Sequence, residues 1–354
     1  MNKRIKDCAK LLRARNYNSI LVSNPANISY LTGFKEGGGY LLVTANEELI
    51  YFTNFLYMEA AKKIKVWKLI INDSGKDVFG LIVKEVKKLR HKKLAFEAKY
   101  LSMREYKPLK RFFLKEAIEL LPTQDLIEEI RMVKDKSEIS LIKKSIQITK
   151  QAIDFADEIF APQMSETTLS IEIERFLRLK GDNQVAFPSI VASGKNTAFP
   201  HHSPTDETIG KRIFLIDLGS KYYGYCADLT RVFFNGKIST LFKKIYDTVR
   251  IAQAESIKKI KDGAKAGNID KAARGVIEEK GWGKYFGHGV GHGIGLCVHE
   301  LPVLKPGSQT ILKEGMVVTI EPAVYFKDKF GIRIEDMVLV KRKRGEVLSG
   351  DINR

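Results

Sequence analysis

Two stretches of the chain, FLIDLGSKYYGYCADLTRVFF and VVTIEPAVYFKDKFGIRIEDMVLV, each read as strand, turn, strand, and each carries two carboxylates inside apolar strands. Asp217 and Asp228 stand eleven residues apart in the first, and Glu321 and Glu335 fourteen apart in the second. A turn centred on Tyr222 and Tyr223 sets Asp217 directly across from Asp228. A turn centred on Asp328 sets Glu321 directly across from Glu335. Like charges opposed across a sheet repel, and buried carboxylates are tolerated only when paired or coordinated to a cation. Two opposed acidic pairs therefore point to a cation between them. His292, in a glycine-rich run, adds a nitrogen donor. One imidazole and four carboxylates suit Mn2+, Co2+ or Fe2+ better than a thiolate zinc centre. An isolated Asp at a strand end is usually a turn former and an isolated Glu a solvated charge, so the joint pattern carries the inference.

Five of the six histidines fall in two clusters, His201-His202 and His288, His292, His299; His91 lies in a basic surface run. In GHGVGHGIGLCVHE, Gly occupies 287, 289, 291, 293 and 295. An extended run puts these glycines on one face and His288, Val290, His292 and Ile294 on the other, with glycine permitting close backbone approach. His292 and His299 are seven apart, so they share a site only if the chain bends or bulges between them. Arg333 alternates with Glu335 and points the same way, as a partner for a carboxylate or a structural ion pair.

The 354 residues suffice for two domains. No apolar run reaches the roughly 20 residues that span a bilayer, and MNKRIKDCAKLLRARNYNS lacks the apolar core of a signal peptide. Three cysteines, Cys8, Cys226 and Cys297, without a CxxC, fit a reducing cytoplasm, and Cys226 and Cys297 read as small core residues. The net charge is +18, and residues 1–125 hold 24 Lys and Arg against 13 Asp and Glu. The basic residues are scattered over amphipathic segments and no nucleic-acid motif accompanies them, so a solvated surface without specific nucleic-acid binding is expected. SILVSN, YLLVTA and LIYFTN read as strands, residues 3–14 and 77–90 as helices, and NPANISYLTGF as a loop. Asp135 and Glu138 form a capping box opening a long helix; further helices are expected over 166–180 and near 240–260. KRKRGE at 341–346 reads as a basic hairpin turn. The expected fold is α+β, with a small α/β domain over 1–122 and, over 123–354, an antiparallel sheet with helices on one face.

The segments DLGSKYYGYCADLTR, GHGVGHGIGLCVHE, TIEPAVY and GIRIEDMVLV closely resemble the pita-bread metallopeptidases, which include Xaa-Pro dipeptidase (prolidase), aminopeptidase P and methionine aminopeptidase. The resemblance covers roughly 135–345. NPANISYLTGF and its surroundings look like the creatinase/prolidase N-terminal domain, which methionine aminopeptidases lack. Creatinase shares the two-domain build but lacks the metal ligands.

By this resemblance two divalent metals are implied, Mn2+ first, with Co2+, Fe2+ or Zn2+ as alternatives. Asp217 would bind one, His292 and Glu321 the other, and Asp228 and Glu335 both. Glu321 is implied as the acid/base residue, and His201 and His299 as catalytic substrate contacts. Phe187 matches an aromatic of the proline pocket, and Arg333 is placed beside the substrate. After HELP the chain has Val303, where several prolidases carry an Arg that grips a substrate carboxylate. The first expectation is therefore an Xaa-Pro aminopeptidase acting on small peptides with proline second, in a cytoplasmic homodimer without membrane attachment. The alternatives are an Xaa-Pro dipeptidase and, more remotely, a non-catalytic binding module.

Overall fold

The computed structural model describes residues 3–35, 38–72, 77–210, 213–234 and 237–350. The chain divides after Arg131 into two compact units. The first holds strands β1 (Ser19–Val22), β2 (Tyr40–Thr44), β3 (Leu49–Asn54), β4 (Lys68–Asn72), β5 (Lys93–Glu97) and β6 (Glu119–Thr123). Its helices are α1 (Lys3–Ala14), α2 (Pro25–Thr32), α3 (Met58–Ala61), α4 (Val78–Lys88), α5 (Met103–Lys115) and α6 (Leu126–Arg131). The sheet runs β4-β3-β2-β1-β5-β6, antiparallel around β2 and parallel toward both edges. The boundary expected at 122/123 falls earlier than the observed division, because α6 packs against α1 and α2 and belongs with them.

The segment read as a loop, NPANISYLTGF, contains helix α2. Its punctuation marks a helix instead: Asn24 Oδ1 caps the start by accepting from Ala26 N at 3.0 Å, Pro25 opens the first turn, and Gly33 ends it. Beside that cap lies a buried polar network. Glu97 accepts from Ser23 N and Asn24 N, both at 2.7 Å, and from Asn27 Nδ2. Glu128 of α6 takes the same Asn27 amide at 2.8 Å, and Arg131 donates to Asn27 Oδ1 at 2.7 Å.

Burial pushes the Glu97 carboxyl up to about 7, with Glu128 adding to the push against the pull of the hydrogen bonds. Its folded pKa thus exceeds the unfolded one, so its contribution to stability is full below about pH 4.5 and is lost as pH rises through about 7. Glu97→Gln is expected to leave stability near pH 4 almost unchanged and to raise it by roughly 3 kcal/mol near pH 8. Urea midpoints of both proteins across that range check this; parallel curves would assign the pH dependence to other groups.

The second unit holds α7 (Lys136–Ile159), α8 (Glu166–Lys180), α9 (Thr240–Lys259) and α10 (Ala266–Glu279). The capping box at the head of α7 forms as read, with Asp135 N and Glu138 N each bonded to the other's carboxylate at 2.9 Å. Its strands are β7 (Ile190–Ser193), β8 (Ile213–Leu218), β9 (Lys221–Tyr222), β10 (Tyr225–Cys226), β11 (Leu229–Phe234) and β12 (Gly291–Gly293). After them come β13 (Glu300–Leu304), β14 (Val317–Ile320), β15 (Ala323–Phe326), β16 (Phe330–Arg333), β17 (Asp336–Val340) and β18 (Gly345–Val347). They form sheets β11-β8-β7 and β13-β12-β14-β17-β18 and the hairpins β9-β10 and β15-β16, all antiparallel. KRKRGE turns β17 into β18. Helices α7 and α8 share one apolar core with these strands, and α9 and α10 the other. No helix among the described residues is long and apolar enough to cross a membrane.

The first acidic hairpin differs in register from expectation. Its turn centres on Tyr223 and Gly224, with φ of 48° and 83°. A two-residue turn with both central residues at positive φ favours glycine second, and Gly224, rather than Tyr223, takes that place. Asp217 therefore pairs with Thr230, not Asp228. Asp228 lies two residues before Thr230, on the same face, so the two carboxylates meet diagonally. The second hairpin keeps its expected register. Ile320 pairs with Asp336 and Ala323 with Arg333, placing Glu321 opposite Glu335 about a turn centred on Asp328.

Candidate metal centre

The glycine run brings the imidazole to the carboxylates. A Cβ at Gly291 would stand 2.0 Å from Thr319 O, and one at Gly293 2.1 Å from Leu301 O, so only glycine lets β12 lie between β13 and β14. The alternate residues Val290, His292 and Ile294 are buried. The ladder with β13 slips between His292 and Gly293, supplying the bulge that a shared site requires. The His292 and His299 rings stand 4.4 Å apart between centroids.

Asp228, His292 and Glu335 each offer a donor atom, all within 4.8 Å of one another, so they form a candidate metal-binding cluster. Glu321 Oε1 lies 3.5 Å and Asp228 Oδ2 3.7 Å from His292 Nε2. His292 Nδ1 donates to Gly293 O at 3.1 Å, which leaves Nε2 as the free electron pair facing the carboxylates. Burial, then the nearby His299, pushes His292 down to about 4 and keeps it neutral.

The carboxylates are poorly compensated. Burial, then Glu335, Asp217 and Glu321, push Asp228 well above the usual carboxylate range. Glu335 rises likewise through burial, Glu321 and Asp217. Burial, with Asp217 adding to it, lifts Glu321 to about 7 against the pull of Arg333. Asp217 Oδ1 and Glu335 Oε1 are buried without a hydrogen-bond partner. A buried carboxylate oxygen without a hydrogen-bond partner suits a divalent cation, the compensation it otherwise lacks.

Arg333, expected beside the substrate, is buried and bonded through all three of its side-chain nitrogens. It donates to Asp217 Oδ2 at 2.5 Å, Tyr325 OH at 2.7 Å, Thr230 Oγ1 at 3.1 Å and Pro200 O at 3.2 Å. Its Asp217 contact is an ion pair with a carboxylate, which fits either role the alternation allowed. Thr230 completes the relay by donating to Glu335 Oε2 at 2.9 Å. Thr230 and Tyr325 were missed in the sequence, although each is an even number of residues from a carboxylate on its own strand run. His288 was also left without a role. It bonds Gly289 O at 2.8 Å, and its ring lies 5.8 Å from Tyr325.

His201 and His202 separate by environment. Glu166, buried at the head of α8, accepts His202 Nε2 at 2.7 Å together with groups of Ser193, Asn196 and Thr205. His202 therefore anchors its loop. His201 is exposed, and its field reaches both His288 and His299. Partial desolvation, then His201, lowers the pKa of His299. Phe187 is half-buried against Gly219, where an added Cβ would meet its ring at 2.8 Å. Val303 pairs with His292 across the β12–β13 ladder and is 39% exposed. Cys226 is buried, as a core residue should be, and Cys297 is half-buried.

Comparison with known proteins agrees with this geometry. Residues 140–342 match metallopeptidase family M24, and residues 4–133 match the creatinase/prolidase N-terminal domain. The structure resembles that of an Xaa-Pro dipeptidase from Bacillus anthracis with a TM-score of 0.92, at 33% identity over 99% of this chain and 98% of the other. An X-Pro aminopeptidase from Thermotoga maritima gives a TM-score of 0.86 at 32% identity, over 98% and 99% of the two chains. An Xaa-Pro dipeptidase from Pyrococcus furiosus is 31% identical over 96% of this chain and 95% of its own length. The chain belongs to metallopeptidase family M24, with a creatinase/prolidase N-terminal domain ahead of a pita-bread catalytic domain.

Proposed function

We propose that this metallopeptidase is an Xaa-Pro dipeptidase with two divalent metals, Mn2+ first among the candidates. The metal reading rests on the gathering of Asp228, Glu335 and Glu321 around the neutral His292 imidazole, with one oxygen each of Asp217 and Glu335 left orphaned. Asp217, Asp228, His292, Glu321 and Glu335 would hold the ions, Asp228 and Glu335 being shared. When bound, divalent ions supply the Lewis acidity that makes water nucleophilic near neutral pH.

The side chains then divide the remaining work. Glu321 accepts the proton of the attacking water and returns it to the leaving nitrogen. Neutral His299 donates a hydrogen bond to the oxygen on which charge develops, and His201 orients the peptide from the outer side. Phe187 offers an apolar wall to the proline ring. Proline lacks an amide hydrogen and has a fixed φ, so a dedicated pocket is required. Arg333 and Thr230 hold Asp217 and Glu335 in place.

The dipeptide preference is carried by likeness to relatives named Xaa-Pro dipeptidase over at least 95% of both chains. It displaces the aminopeptidase that the sequence put first. One observation still favours that second reading: Val303 offers no cation to a substrate carboxylate. The deciding measurement is kcat/KM for Ala-Pro, Ala-Pro-Ala and Met-Ala-Ala after metal stripping and reloading. Ala-Pro is expected to exceed Ala-Pro-Ala. Equal or reversed values would restore the aminopeptidase, and cleavage of Met-Ala-Ala alone would remove proline from both readings.

A further inference from the structure

The two glutamate-bearing strands part company at the glutamates themselves. The ladder of β14 with β17 ends at Ile320 and Asp336, and that of β15 with β16 begins at Ala323 and Arg333. In the gap, Glu321 N donates to Val290 O at 2.8 Å and Glu335 N to Thr230 O at 3.2 Å, so neither backbone amide bonds the other strand. One side chain spans the opening. Gln253 of α9 is buried, and its Nε2 lies 3.2 Å from Ile320 O, 3.2 Å from Ile334 O and 3.1 Å from Asp336 Oδ2. Ile320 and Ile334 immediately precede Glu321 and Glu335. Asp336 is held in turn by Arg231 Nη2 and Ser349 Oγ, each 2.7 Å from Oδ1.

We propose that Gln253 is a positioning residue for the metal centre, setting the separation of Glu321 and Glu335 by bridging the carbonyls that precede them. The inference rests on the metal reading above. Its physical basis is that two peptide planes sharing one donor cannot rotate or spread independently, and each plane carries the next residue's Cα. Groups that orient ligands from behind alter metal affinity by about 10–100-fold when removed.

The test is calorimetric titration of metal-free protein with Co2+, read together with the visible Co2+ spectrum and circular dichroism. Gln253→Met keeps the shape of the side chain and removes the donor; it is expected to stay folded, bind Co2+ about 10–100-fold more weakly and change the spectrum. Gln253→Lys, whose ammonium has three donors for the three acceptors, is expected to recover most of the affinity. Ser256→Ala is the control. It removes a buried bond of 2.8 Å from the same helix to Ile269 O, away from the ligand strands, and is expected to bind Co2+ as the parent does. If Gln253→Met does not fold, Gln253→Asn, which withdraws the amide by one methylene, carries the same expectation. Unchanged Co2+ binding in Gln253→Met, or equal loss in Ser256→Ala, overturns the proposal. Absence of Co2+ binding in the parent chain overturns instead the metal reading on which it stands.

Discussion

Glu335→Ala is expected to abolish turnover and to remove one bound metal ion while the chain stays folded, and Asp228→Ala to do the same. Both residues sit in the cluster whose donor atoms lie within 4.8 Å of one another, and both carry carboxyls that burial and neighbouring anions push upward. Removing a carboxylate proposed to serve both ions would take away charge that compensates them. The loss of Lewis-acid assistance amounts to several kcal/mol of barrier, or roughly 10³-fold or more in rate. Stability should move the other way in metal-free protein, since deleting one of several mutually repelling buried anions relieves strain. The Tm of the metal-free variant is therefore expected to equal or exceed that of the metal-free parent, and added metal to raise the parent's Tm more. Elemental analysis after dialysis is the direct check. Two tightly held ions per chain in either variant would remove the shared role from that residue.

His299→Ala is expected to keep the metal content of the parent and lose turnover by about 10- to 10³-fold, the range for one positioned polar group. The ring stands 4.4 Å from that of His292 yet lies outside the carboxylate cluster, and partial desolvation with the field of His201 holds its pKa below the ordinary value. A depressed histidine is neutral at pH 7 and offers a single N–H. The loss should therefore persist across the neutral and alkaline range, without tracking an imidazole titration near pH 6.5. Metal content and a pH–rate profile are read together. Loss of metal would make His299 a ligand, and a variant as active as the parent would leave the developing oxyanion to other groups.

The candidate cluster was readable because carboxylates in apolar strands violate the usual burial pattern, and such violations mark chemistry. Which face each residue occupied followed from strand alternation, and this survived the error in the first hairpin: the turn moved by one residue to Tyr223 and Gly224, yet Asp217 and Asp228 stayed on one side. Helix α2 was missed because Asn-Pro and Gly punctuate helices and loops alike, and only the cap bond of Asn24 distinguishes them. Gln253 carried no signal. A glutamine on an amphipathic helix reads as surface, and only the course of β14 and of the β16–β17 junction shows that its amide meets two carbonyls. Arg333 was visible as a neighbour of Glu335 by alternation, but its contact with Asp217 joins residues 116 apart in the chain.

The same alternation bears on how the first hairpin tolerates changes in length. Asp217 and Asp228 need only share a face, so the ladder accepts any alteration of the Tyr223-Gly224 tip that leaves Asp228 in phase with Thr230. Two residues added evenly at the tip lengthen the hairpin and leave both carboxylates facing inward. A single residue inserted between Asp228 and Thr230 sends Asp228 to the opposite side of the sheet. Length variation among natural relatives should therefore gather at the hairpin tip and be absent from the three residues Asp228, Leu229 and Thr230, where a change of one cannot be absorbed.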